Sequence, residues 1–233
     1  MSQQRIIFIG DIHGCYAELQ ELLAKVKFDK ENDRLISLGD LMHKGCQSAE
    51  VIQFFMDLDC EVIMGNHDYY FLQTLKGEKG PYDEFDDIME ELKSIDLQKL
   101  INWFSANPLY IDDPKFIAVH GGVNPHDIPL EDHHIDTLLK MRYWDLENNQ
   151  SVAKINNDNR DHDLRPWFDL LKPGSYNNRP IFFGHWAQKN VQQVGQVIGL
   201  DTGCCYGGKL SAYILPTQEI IQVESQHPKQ FDY

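Results

Sequence analysis

"RIIFIGDIHGCYAELQELLAKV", residues 5–26, decides the fold class. Residues 5–10 form a short β-rich run ending on glycine, and from Tyr16 the apolar residues Leu19, Leu22, Leu23 and Val26 recur at helical spacing. The order is strand, loop, helix. It repeats at once: "RLISL" (34–38) leads through "GD" into "SAEVIQFFMDL" (48–58), where Val51, Phe54, Phe55 and Leu58 keep the same period, and "EVIM" (61–64) supplies a third strand. Strands alternating with helices predict an α/β protein with a parallel βαβαβ core.

Further along, residues 82–107 read as helical, acidic at first and then amphipathic, which predicts a solvated helical cap. "LYI" and "KFIAV" bracket Asp112 to Pro114 as a hairpin. Residues 147–164 are polar and turn-rich, the pattern of a surface excursion. Their Asn157, Asn159 and Asp161 are not a calcium loop, because the glycine and closing glutamate are missing. From 180 onward "PIFFG", "QVIGLD", "KLSAYIL" and "EIIQVE" are β-runs expected to complete a second sheet stacked on the first, giving two mixed sheets flanked by helices. With 233 residues, 42% of them hydrophobic, and no Pro/Gly/Ser linker, the chain is read as one domain over 1–233.

Composition removes several function classes. The formal charge of −15 argues against a surface that tracks nucleic-acid backbones. No apolar run approaches the length of a membrane span, and "MSQQ" passes into a strand without a leader, so a cytoplasmic protein is expected. The five cysteines include no CxxC and two are adjacent, which predicts reduced thiols and makes the sequon at Asn149 a chance match.

What remains is a pattern of strand ends. Apolar runs finish in metal-capable residues at "GDIHG" (10–14), "GDLMHKG" (39–45), "GNHD" (65–68), "HGG" (120–122), "GHW" (184–186) and "DTG" (201–203). In open α/β sheets ligands sit outside the carboxyl ends of the strands, so these loops can converge on one crevice. A lone histidine beside a strand is more often a hydrogen-bonded structural residue, but the ordered set reverses those odds. Asp, His and Asn offer oxygen and nitrogen without thiolate, which suits Mn, Fe, Co or Zn better than Ca. Two such ions bridged by one carboxylate form a phosphoryl-transfer site.

The motifs resemble those of the calcineurin-like metallophosphoesterases, in the phosphoprotein-phosphatase branch. "GDIHGCYAEL", "LINWFSANPL", "RPWFDLL", "FFGHWA" and "LDTGCCYGGKLSA" are similar to the symmetrical bis(5'-nucleosyl)-tetraphosphatases, the diadenosine tetraphosphate hydrolases. The resemblance implies two divalent ions, Mn first among the candidates, with Asp11 and His13 on one, Asp40 bridging, and Asn66, His120 and His185 on the other. It implies His67 as the acid that assists the leaving group, and Lys44 and Arg142 as phosphate-binding cations, with Arg160 and Arg165 competing for the last role. The implied reaction is attack of a metal-bound hydroxide on an inner phosphorus of diadenosine tetraphosphate, giving two ADP. Dinucleoside polyphosphates are then the substrate class, and nucleoside-tetraphosphate-capped RNA ends are permitted. No obligate protein partner and no membrane are implied.

One word departs from the branch pattern. Where many phosphoprotein phosphatases read GDxVDRG, this chain has His43 and Lys44, and the tetraphosphatases it resembles also tend to lack that aspartate. Lysine keeps the charge but not the bidentate fork. A site without an Asp–His dyad suits an anhydride, because the ADP leaving group has a terminal phosphate with a second pKa of about 6 and departs almost unprotonated, unlike a serine alkoxide. His43 is either a functional substitute for the missing acid, a space-filler or a hydrogen-bonding residue, and the last two are favoured because an imidazole beside two cations tends to stay neutral. Trp186, Tyr206, Tyr69 and Tyr16 adjoin proposed site residues, where core packing is the commoner role than base stacking. The runner-up is a serine/threonine phosphatase on the same scaffold, and the third reading is a silent metal-binding protein.

Overall fold

A computed structural model describes residues 4–58, 60–78 and 82–230, so the ends of the expected 1–233 domain lie outside the described residues. The strands are β1 (Ile6–Ile9), β2 (Arg34–Ser37), β3 (Glu61–Val62), β4 (Tyr110–Asp113), β5 (Phe116–Val119), β6 (Tyr143–Asp145), β7 (Gln150–Val152), β8 (Leu164–Pro166), β9 (Ile181–Phe183), β10 (Gln192–Val194), β11 (Val197–Gly199), β12 (Lys209–Leu215) and β13 (Glu219–Glu224). The helices are α1 (Tyr16–Val26), α2 (Ser48–Leu58), α3 (Asn66–Leu75), α4 (Phe85–Glu91), α5 (Leu97–Ala106) and α6 (Ile135–Lys140).

The first sheet has the order β13-β12-β1-β2-β3, with β1, β2 and β3 parallel as the βαβαβ reading requires. The second runs β10-β11-β9-β5-β4, in which β5, β9 and β11 are parallel and the β4–β5 hairpin forms where expected. Strand alternation explains the stacking. Ile6 and Phe8 face the inter-sheet core with Ile36, Phe116, Phe182 and Tyr213, while Ile7 and Ile9 face the opposite way, toward Leu19, Leu22 and Phe55 of α1 and α2. Phe8 stacks on Phe182 with ring centroids 3.8 Å apart, which ties the two sheets together.

Three expectations are corrected. The β-runs after 180 do not all enter the second sheet: β9 to β11 do, but β12 pairs antiparallel with β1 and carries β13 to the edge of the first. Every register position of β1 is thereby flanked, by β12 on one side and β2 on the other, as a strand buried on both faces needs. The polar stretch 147–164 is not only an excursion, because β7 and β8 flank β6 in a small antiparallel sheet. The cap at 82–107 is helical but not merely solvated: Phe85 and Phe104 are fully buried against Phe71 of α3. Among the described residues no helix is long and apolar enough to cross a membrane.

Candidate metal centre

Each candidate residue follows the carboxyl end of a strand. Asp11 and His13 follow β1, Asp40 follows β2, Asn66 opens α3 after β3, His120 follows β5 and His185 follows β9. Backbone strain collects at the same places. His13, Asp40, His185, His43 and Lys44 have left-handed φ of 47°, 52°, 63°, 72° and 72°, a region that non-glycine residues adopt at a cost and that clusters at functional sites.

The Asp40 carboxylate, 2% exposed, lies at the centre. Its Oδ2 is 3.4 Å from His13 Nε2 and 3.3 Å from His120 Nε2, and its Oδ1 accepts the His67 backbone N–H at 2.9 Å. On one side Asp11 Oδ2 lies 3.9 Å from His13 Nε2. On the other, Asn66 Oδ1 is 3.2 Å from His120 Nε2 and 2.9 Å from His185 Nδ1, and the His185 backbone N–H donates to both Asp11 oxygens at 3.0 Å. Asp40 therefore belongs to two donor groups at once, His13–Asp40–His67 and Asp40–His120–His185.

Hydrogen bonds outside the groups set the ring states. His13 Nδ1 lies 3.1 Å from the Met42 carbonyl and His120 Nδ1 lies 2.8 Å from the Leu38 carbonyl. A carbonyl only accepts, so each Nδ1 carries a proton and each Nε2 is the ring nitrogen that faces inward, where it can bind metal once it is free of its proton. Burial and the Asp201 carboxylate hold Asp11 well above the usual carboxylate range. Burial alone would also raise Asp40, but the surrounding imidazoles, His120 foremost, hold it well below that range. Against its own burial, His120 is pushed up to about 10 by Asp40 and Asp11. Burial and then Lys44 lower His13, and burial also lowers His67, to about 3.

The phosphate-binding candidates stand at opposite groups. Lys44 Nζ is 2.9 Å from His13 Nε2 and 5.1 Å from the Tyr206 ring centroid. Arg142 Nη2 donates to the His185 carbonyl at 3.3 Å, and its buried Nε has no hydrogen-bond partner among the described residues. The competing Arg160 and Arg165 instead contact Asp161 and Asp163, their near neighbours in sequence, at 3.9 and 2.7 Å. Of the aromatic candidates, Tyr16 packs on Phe54 and Tyr69 on Tyr70, while Trp186 packs on Tyr143 and Phe168.

Two residues not assigned from the sequence support the site. Asp68, fully buried, accepts the backbone N–H groups of Asp40, Leu41 and Gly65 at 2.7, 3.0 and 3.0 Å, binding the second loop to the third. It is the last letter of "GNHD", where it was legible as a motif member but not as a brace. Tyr82, from the cap, stacks on His67 at 4.9 Å and 17°. Nothing in the local pattern around residue 82 announces that contact.

Residues 4–186 match the family model of the calcineurin-like phosphoesterases. The chain is 31% identical over 270 residues to a symmetrical bis(5'-nucleosyl)-tetraphosphatase of Erwinia tasmaniensis, covering 95% of this chain and 98% of that one. It is 33% identical over 266 residues to the protein of that name from Coxiella burnetii, covering 94% and 91%. A crystal structure described as a candidate diadenosine tetraphosphatase superposes with TM-score 0.79 at 29% identity, covering 97% and 95%. A serine/threonine phosphatase from Saccharomyces cerevisiae superposes at 0.61 with 17% identity, which shows the shared fold alone.

Proposed function

The chain belongs to the calcineurin-like phosphoesterase family, and on that premise we propose that it is a dinuclear-metal hydrolase that cleaves diadenosine tetraphosphate symmetrically into two ADP. The observation that carries the reading is the Asp40 carboxylate shared between two buried donor groups. Asp11, His13 and Asp40 would hold one ion; Asp40, Asn66, His120 and His185 would hold the other. The donor set fits, being carboxylate, amide oxygen and imidazole without thiolate, which suits Mn, Fe, Co or Zn, and Mn is the ion proposed here. When bound, the two ions would polarise the phosphoryl oxygens and activate the attacking water.

The remaining steps belong to the chain itself. Lys44 beside the first group and Arg142 beside the second would grip equatorial oxygens of an inner phosphate, and a phosphate oxygen would satisfy the Arg142 Nε, which has no partner among the described residues. Water adds to one inner phosphorus, the central P–O–P link breaks, and each half departs as ADP. His67, whose Nε2 lies 4.0 Å from Asp40 Oδ2, would face the leaving oxygen and assist its departure. A cavity of about 540 Å³ opens beside Lys44 and is lined by His43, Tyr82, Glu84 and Asp87. It offers one nucleoside arm an aromatic face and carboxylates for its hydroxyls. The charge of −15 gives the body of a capped RNA no footprint, so recognition of such an RNA would rest on the tetraphosphate end.

Product analysis by ion-exchange chromatography tests the reading: metal-free protein is incubated with diadenosine tetraphosphate, with and without Mn²⁺. ADP as sole product, formed only with metal, supports it. AMP plus ATP would move the attack to an outer phosphorus and overturn it. Faster turnover of a phosphopeptide would favour the protein phosphatase reading, and metal binding without turnover the silent one.

A further inference from the structure

His43 occupies the altered position of "GDLMHKG", and its Nδ1 lies 2.8 Å from the Nδ1 of His67. Both rings are buried, 8% and 6% exposed. The contact is held from several sides. Ser48 Oγ is 3.0 Å from the His43 backbone N–H, Tyr82 packs on both rings, with centroids 4.6 Å from His43 and 4.9 Å from His67, and Phe85 meets the His43 ring at 5.3 Å. The left-handed backbone at His43, φ 72°, is the strained conformation that aims the side chain there.

A pair of imidazole nitrogens at that distance shares one hydrogen, so one ring donates and the other, being neutral, accepts. This distinguishes His67 from the candidate ligands. His13 and His120 meet carbonyls at Nδ1, so a proton is fixed there and Nε2 is the nitrogen left for a metal. The Nδ1 of His67 meets another imidazole, which can donate or accept. Donation by His43 leaves His67 with its proton on Nε2; acceptance by His43 would allow a bare Nε2, and His67 would join His13 and Asp40 as a metal ligand.

Distance separates the alternatives. His67 Nε2 is 4.0 Å from Asp40 Oδ2, against 3.4 and 3.3 Å for His13 and His120, and the Asp40 oxygen nearer to α3 is already bound to the His67 backbone N–H. The Glu84 carboxylate that could draw a proton to His43 Nε2 is 3.8 Å away on a side chain 68% exposed, beyond hydrogen-bond reach and well screened.

We propose that His43 is a positioning residue: it donates its Nδ1–H to His67 and holds that ring as an Nε2–H donor aimed at the leaving oxygen, the reverse of the tautomer held by the ligand histidines. The inference rests on the reading of His67 as the residue that assists the leaving group in the proposed hydrolase, here by an Nε2–H hydrogen bond to the leaving oxygen. It also gives the altered word a function, since a neutral donor partner fixes direction and tautomer without adding a buried negative charge beside the metals.

Long-range ¹H–¹⁵N correlation on histidine-labelled protein, metal-free and loaded with diamagnetic Zn²⁺, reads the tautomers directly. The expected result is Nε2–H on His67 and Nδ1–H on His43; the opposite pair overturns the proposal. Kinetics on diadenosine tetraphosphate and a series of aryl phosphates supply the second readout. His43→Phe keeps the ring and loses the donor, so kcat should fall about ten- to a hundredfold for the most basic leaving groups with KM unchanged. His43→Asn places an amide donor near the Nδ1 position and should restore most of the loss. A His43→Phe enzyme with the wild-type dependence on leaving group, or a His43→Asn enzyme no better than it, overturns the proposal. If His43→Phe does not fold, the asparagine variant and the spectra decide. Wild-type protein that turns over none of these substrates defeats the hydrolase reading instead.

Discussion

Gly65→Ala is a methyl-sized test of the claim that Asp40 organises both donor groups. Gly65 has an ordinary φ of −84°, so alanine adds no backbone strain there and the effect is steric. A Cβ at this position would stand 2.9 Å from Asp40 Cγ, and closer still to its Oδ1 and backbone nitrogen. Asp40 cannot turn aside freely, because its backbone N–H is bound by Asp68 at 2.7 Å and its Oδ1 by the His67 N–H at 2.9 Å. The carboxylate or the start of α3 must shift by about 1 Å, and displacements of that size cost about a hundredfold in rate. Overpacking of this kind destabilises by about 1–3 kcal/mol, a Tm loss of about 2–12 °C for a chain of this length. The assay is kcat on diadenosine tetraphosphate at saturating Mn²⁺, with Mn²⁺ content by elemental analysis. Gly77→Ala is the control: its Cβ would meet nothing within 4 Å, but its φ of +86° strains any side chain, so it should lose stability and keep kcat. A Gly65→Ala enzyme within about threefold of wild-type kcat would refute the placement of Asp40 at the reacting centre.

Asp40→Asn should weaken binding of both ions together, by more than the 10- to 100-fold typical of an outer-shell partner, and calorimetric titration with Mn²⁺ would show both sites affected, not one. Lys44→Ala and Arg142→Ala should each lower kcat/KM by about a hundredfold, the usual effect of removing one donor to developing phosphoryl charge, while Lys44→Arg keeps most activity in the same steady-state assay. Metal-free protein should be most stable near neutral pH. His120 has a folded pKa of about 10, above its ordinary 6.5, so its contribution is complete below about 6.5 and is lost as pH rises toward 10. Asp40 has a depressed folded value, so its contribution is present above the ordinary carboxylate range and is lost at strongly acid pH. Thermal scans in chelator should therefore show Tm falling between pH 7 and 10, and saturating Mn²⁺ should flatten the decline because binding releases the His120 proton.

Much of the candidate site was legible because each loop carries its own chemistry. Asp11, His13, Asp40, Asn66, His120 and His185 each stand within a few residues of an apolar run, and parallel strands necessarily present those ends on one side. The helices of the βαβαβ core were equally legible, since the period that defines α1 and α2 is complete within eleven residues. Other features were not. Asp68 reads as a fourth motif letter, and only the folded chain shows it bridging two loops. Tyr82 reaches His67 from a cap whose local sequence announces only charge and helix.

The sequence by itself determined the alternation of strand and helix, the order of the metal-capable loops and the absence of thiolate among the donors. Those properties depend on periodicity and composition over short spans. Tertiary structure alone decided that β12, some two hundred residues from β1, lies beside it, that β6 to β8 form a sheet of their own, and that His43 meets His67. Strand pairing depends on which surfaces remain to be buried once the helices have packed, and any short β-run satisfies that demand equally well on its own. The direction of a hydrogen bond between two imidazoles is set by the groups around both rings, and these come from the β2 loop, α3 and the cap together.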